Sequence, residues 1–136
     1  RDEGLTMQQY DTPFRSLDDR QLAALRYDPG GEARSAYIDG LGTLYDILCE
    51  DSDQPVKPVI RYLHPGGFAY QQQIRSFAAS VRSVDPGIAK VLNENLNVAL
   101  DLYEECRSPR RTSPAHASQL ATCFVDALLA EYRMLR

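Results

Sequence analysis

Two histidines and three cysteines are the residues best equipped for catalysis or metal binding, and their spacing restricts what they can do. His64 sits in RYLHPGGFAY, Arg61 to Tyr70. A histidine before a sharp Pro-Gly-Gly turn is one way to present an axial haem ligand. A bis-histidine site needs a second axial histidine, and the other one, His116, is 52 residues on in a chain that reads as helical almost throughout. The segment reads instead as a helix stop. Pro65 disfavours the α region for the residue before it, Gly66 and Gly67 follow, and His64 lies near the negative end of the helix dipole. We expect no haem and no other cofactor.

Cys49, Cys106 and Cys123 fit no zinc pattern, because no CxxC or HxxxH accompanies them. Their odd number leaves at least one without an internal partner, and buried thiols in a reducing compartment are the favoured reading. Cys106 and Cys123 are not expected to pair. In a helical hairpin around the intervening loop they stand on the order of 12 Å apart along the axis, well beyond disulfide reach. His116 and Cys123 are seven residues apart, two turns of one helix, too far for a direct nucleophile–base hydrogen bond. No GxSxG, GxxxxGK[ST], HExxH or paired ExxH occurs. No catalytic residue, metal ligand or cofactor-binding residue is therefore assigned, and an enzyme is the less favoured class.

Binding residues are easier to nominate than catalytic ones. In the stretch from Ile88 to Arg107, apolar residues fall on one seam, Ile88, Leu92, Leu96, Ala99, Tyr103 and Cys106. Asn93, Asn97, Asp101 and Glu104 fall on the other side. That polar row faces either solvent or a hydrogen-bonding partner. RSPRRTSP, Arg107 to Pro114, follows as a loop with Arg107, Arg110 and Arg111, whose forked guanidinium donors suit carboxylates. Ser108, Thr112 and Ser113 in the same loop are candidate phosphorylation sites if the source is eukaryotic. Eight tyrosines and no tryptophan suit surfaces that are part apolar and part polar.

Composition narrows the partner. The net charge is −4, with seven basic against twelve acidic residues up to Phe68 and eight against seven beyond it. A nucleic-acid binder usually carries a basic surface, which this balance does not supply. Arginine outnumbers lysine 13 to 2. No apolar run approaches the length of a membrane span. The chain begins with Arg1, so we expect a processed or trimmed product. The cysteine reading favours the cytoplasm over a secreted or periplasmic setting, which a removed signal peptide would imply.

The elements that must position these residues are helical almost throughout. Residues 1–15 read as an extended arm ahead of a single helical domain over 16–136. A short first helix follows, with Ser16 as N-cap and Asp18 and Asp19 in its first turn. DPGG, Asp28 to Gly31, ends it. A second helix spans about 32–50, with Tyr37, Ile38, Leu41, Leu44, Tyr45 and Leu48 at helical spacing. Gly40 and Gly42 interrupt it, and close packing of a neighbouring helix is the favoured explanation for both. A third helix is expected between Pro58 and His64. A fourth covers about 68–84, with Tyr70, Ile74, Phe77, Val81 and Val84 as its seam. DPG, Asp85 to Gly87, breaks it. The fifth runs from Ile88 to Arg107 and the sixth from Ala115 to the end. Strand signals are almost absent. The fold expected is all-α, a single compact domain of five to six antiparallel-packed helices with short loops.

One stretch also resembles a known family. AYIDGLGTLYDILCEDSDQPVKPVIRYLHPGG, Ala36 to Gly67, runs helix, cysteine, acidic turn, helix with YL, then HP. It is similar to the small helical immunity proteins that bacteria use against secreted amidase toxins. In that family a cysteine follows the first long helix and a YL…HP segment ends the next. The likeness covers about a quarter of the chain, and the family's second cysteine has no clear counterpart here. It implies an inhibitor that neutralises a toxin by binding it.

Taken together, these residues point to a non-catalytic helical interaction module, such as an adaptor, chaperone-like protein or regulatory subunit. Its expected partner is another protein, not nucleic acid, and homo-oligomerisation is compatible with it. The candidate contact residues are Asn93, Asn97, Asp101, Glu104, Arg107, Arg110 and Arg111. A toxin-neutralising immunity protein and an enzyme or small-ligand binder using an inter-helix cleft are the two alternatives.

Overall fold

Three of the described helix starts are built from the same parts, an aspartate or serine side-chain acceptor followed by a proline. The computed structural model describes residues 13–48, 68–107 and 113–136, with the backbone alone described at 68–74, 107 and 114. Asp18, not Ser16, caps the first helix, α1 (Asp19–Arg26). Its carboxylate accepts from Gln21 N at 2.8 Å, and the Gln21 side chain accepts from Asp18 N at 3.1 Å. This capping box needs a carboxamide three residues after the cap, which Gln21 provides for Asp18. Ser16 belongs to the segment before the helix.

The DPGG turn closes α1 and opens α2 (Glu32–Leu48). Asp28 accepts from Ala33 N at 3.1 Å through its side chain and from Gly31 N at 3.2 Å through its carbonyl. Gly31 takes φ +69°, a conformation that strains any residue with a Cβ. After α3 (Phe68–Arg82), Asp85 accepts from Gly87 N and Ile88 N, which starts α4 (Pro86–Arg107) two residues earlier than the apolar pattern suggests. Pro86 occupies the first turn, where a missing N–H costs nothing. Ser113 caps α5 (Pro114–Leu135) by accepting from His116 N, and Pro114 repeats the device.

Five helices and no strand are present among the described residues, packed as one all-α domain. The third helix expected from the sequence lies outside the described residues. None of the helices described is long and apolar enough to cross a membrane.

The helix α2 is the hub. It packs against α1, α3, α4 and α5, while α4 also packs against α3 and α5. Its buried side is wide: Tyr37, Leu41, Leu44, Ile47 and Leu48 are all at most 1% exposed. Phe77 of α3, Leu92 and Ala99 of α4, and Phe124 and Leu128 of α5 complete the core. The two interrupting glycines of α2 differ. A Cβ at Gly40 would stand 3.0 Å from Leu92, so its absence lets α4 approach. A Cβ at Gly42 would meet nothing within 4 Å, so close packing accounts for Gly40 alone.

Residues 13–18 form a non-helical strap laid against the bundle. Phe14 and Leu17 are 5% and 4% exposed and belong to the core, so the core crosses the boundary expected at residue 16. Residues 1–12 of the expected arm lie outside the described residues.

Candidate functional site

The polar row nominated from sequence is on the surface. Asn93, Asn97, Asp101 and Glu104 are all exposed on α4, opposite the buried Ile88, Leu92, Ala99 and Tyr103. Arg107 ends α4, while Arg110, Arg111 and the loop's phosphorylation candidates Ser108 and Thr112 lie outside the described residues. The third candidate, Ser113, is the N-cap of α5.

The residues considered for chemistry are scattered. His64 and Cys49 lie outside the described residues. His116 is half-buried in the first turn of α5, two turns from the half-buried Cys123. Cys106 and Cys123 are not bonded to each other. Burial, and then the neighbouring charge of Glu105, push the Cys106 thiol up, which lowers its thiolate fraction. No group of three His, Cys, Asp or Glu side chains among the described residues is arranged to hold a metal ion.

The strongest polar constellation is one that the sequence reading passed over. It grips the strap from below. Asn95 on α4 is fully buried, with its Oδ1 accepting from Arg15 N at 2.8 Å and its Nδ2 donating to Arg15 O at 2.9 Å. Glu131 on α5 is 1% exposed. Its Oε1 accepts from Leu17 N at 3.0 Å, and its Oε2 accepts from the Tyr37 hydroxyl on α2. Above them the Phe14 ring meets Phe124 edge-on, with centroids 5.3 Å apart. One exposed ion pair, Arg15 Nη1 to Glu94 Oε1 at 2.7 Å, closes the top.

This grip shapes its own electrostatics. Burial raises the Glu131 carboxyl above the ordinary carboxylate range, opposed by the hydrogen bonds from Tyr37 and Leu17. Burial first, then the adjacent Glu131 charge, drives the Tyr37 hydroxyl far upward, so it remains a donor at any ordinary pH. Every polar atom named is occupied by a partner within the fold, an arrangement suited to holding a chain segment rather than to transferring a proton.

A second feature is an open groove of about 440 Å³ between α2 and α5. Ile38, Gly42, Tyr45, Leu128, Leu129 and Tyr132 contribute to its walls, together with the carboxylates of Asp39 and Asp46. Gly42 makes part of this space by what it lacks. Although Asp46 is exposed overall, partial loss of water raises its carboxyl.

Compared with known proteins, the chain matches no family model, no curated protein and no solved structure.

A signal for the buried polar pair is present in the spacing. Asn95 is three residues after Leu92 and four before Ala99, on the buried stripe itself. Leu96, assigned to that stripe, is only partly buried. Glu131 likewise stands three after Leu128 and four before Leu135. Residue type argued for solvent at both positions, whereas geometry placed them inside.

Proposed function

We propose that this chain is a non-catalytic helical module that works by contact with another protein, through the polar row of α4 and the arginine loop that follows it. The observation that carries the reading is the exposure of Asn93, Asn97, Asp101 and Glu104 together on one helix whose opposite side is committed to the core. A row of amides and carboxylates offers hydrogen bonds and negative charge. Arg107, Arg110 and Arg111 add carboxylate-binding cations at its end. The resemblance over residues 36–67 supplies one concrete form of this reading, in which the partner is a secreted amidase toxin. The α2–α5 groove favours a second reading, a small-ligand binder using an inter-helix cleft.

The test is surface plasmon resonance with the partner recovered from the native source. Rim charges act mainly on association, and central anchors on dissociation. Replacing Arg110 and Arg111 by alanine is expected to slow association and flatten its salt dependence, while Asn97→Ala speeds dissociation. Unchanged kinetics in both, with binding lost on substitution in α1 or α2, would place the interface elsewhere. A small molecule retained in native mass spectrometry and lost in Gly42→Leu would favour the cleft.

A further inference from the structure

The grip on the strap is directed at its backbone. Asn95 bonds both the N–H and the C=O of Arg15, and Glu131 accepts from the N–H of Leu17. None of these bonds reads a side chain. Side-chain selectivity comes from two apolar anchors three residues apart, Phe14 against Phe124, and Leu17, buried in the core. Backbone bonds for affinity and side-chain pockets for specificity are the division of labour by which proteins hold extended peptides.

The materials of the seat point the same way. A non-helical segment in the core needs partners for its backbone N–H and C=O groups, and side chains supply them here rather than a neighbouring strand. Polar walls become useful when the seat has to stand open. Water can then satisfy Asn95 and Glu131, whereas an all-apolar slot would collapse or aggregate. The one side-chain tie on top, Arg15 to Glu94, is 60% and 35% exposed and holds weakly.

We propose that the seat formed by Asn95, Phe124 and Glu131 is a binding site for an extended peptide with an aromatic residue three positions before a leucine, and that residues 13–18 occupy it in cis as a latch. The competing occupant is such a segment of a partner protein. A tethered latch competes at an effective concentration on the order of mM, so free peptide binds the latched chain weakly. This site is separate from the polar row of α4, and its failure leaves that reading untouched.

Hydrogen exchange on the intact chain is the first test. A latch opens without global unfolding, so the Arg15 and Leu17 amides are expected to be protected at least about 10-fold less than those of Leu41 and Leu44 in the hub helix. Equal protection would overturn the proposal, because the strap would then leave only when the fold does. The second test uses a fluorescein-labelled peptide with the sequence of residues 12–19, TPFRSLDD, read by anisotropy. A chain carrying Phe14→Ala and Leu17→Ala is expected to bind it at least about 10-fold more tightly than the unaltered chain. Adding Asn95→Asp, which sets an acceptor against the peptide carbonyl, is expected to abolish that gain. Should the double variant lose its helical circular dichroism, Leu17→Ala alone replaces it. No binding at about 1 mM peptide to a folded latch variant, or binding indifferent to Asn95→Asp, would also overturn the proposal.

Discussion

Asn95 and Asn97 are two residues apart on one helix and have opposite fates. Asn95 is fully buried with both ends of its amide engaged by the strap, whereas Asn97 is exposed in a row of polar neighbours. The same contrast separates Glu131, gripped between Leu17 and Tyr37, from Glu104 on the surface. Chemically identical groups are thus expected to hold the fold together in one place and to matter less in the other. Position relative to water decides which, since a buried polar group stripped of its partner costs far more than an exposed one.

The largest test of this contrast is Glu131→Ala. It leaves the Leu17 N–H and the Tyr37 hydroxyl buried without an acceptor, and we expect a loss of about 3 kcal/mol in urea unfolding. Glu104→Ala, at an exposed position, should change the unfolding free energy by less than about 1 kcal/mol. Similar losses at the two glutamates would break the comparison.

Glu131 also makes stability depend on pH. Its folded carboxyl titrates above the unfolded one because burial outweighs the two hydrogen bonds that it accepts. The folded chain therefore holds the proton more tightly across the interval between the two values, and stability falls as pH rises through it. The favourable contribution is complete below the ordinary carboxylate range and gone above the raised value. Asp46, also raised, acts with the same sign. Glu131→Gln is expected to flatten the decline of the urea midpoint with pH, leaving the smaller slope due to Asp46. An unchanged slope would show that Glu131 titrates normally.

Asn95→Ala should cost about 2 kcal/mol, with Asn97→Ala within about 0.5 kcal/mol of the parent. The glycines of α2 sharpen the contrast without any polar chemistry. Gly42→Ala adds a methyl into open space and should raise stability by about 0.5–1 kcal/mol, the helix-propensity difference. Gly40→Ala drives its methyl against Leu92 and should lower stability despite the same propensity gain, as thermal unfolding of the pair will show. The smallest effect is expected at the exposed end of the clasp. Arg15→Ala removes the pair with Glu94 but keeps the backbone bonds to Asn95, and should cost less than about 0.5 kcal/mol.

The helices themselves were legible because their determinants are local. Apolar spacing over Ile88–Cys106 and the breaks at DPGG, DPG and RSPRRTSP depend on neighbours within a turn or two. The errors were local as well. The cap of α1 moved from Ser16 to Asp18 because the reciprocal partner, Gln21, stands three residues after Asp18. The exposed row of α4 was readable for the same reason, since helical spacing alone sets it opposite the seam.

The sequence by itself determined that this chain is all-α, where its described helices begin and end to within a turn or so, and that one side of α4 is polar. Tertiary structure alone decided the rest. Asn95 meets Arg15 across 80 residues, and Glu131 meets Leu17 across 114. Whether a polar residue on an apolar stripe is an error, a bend or a clasp depends on which distant backbone arrives opposite it, and no local spacing encodes that arrival. Gly40 and Gly42 make the same point, since only the placement of α4 against α2 makes the missing side chain necessary at one and dispensable at the other.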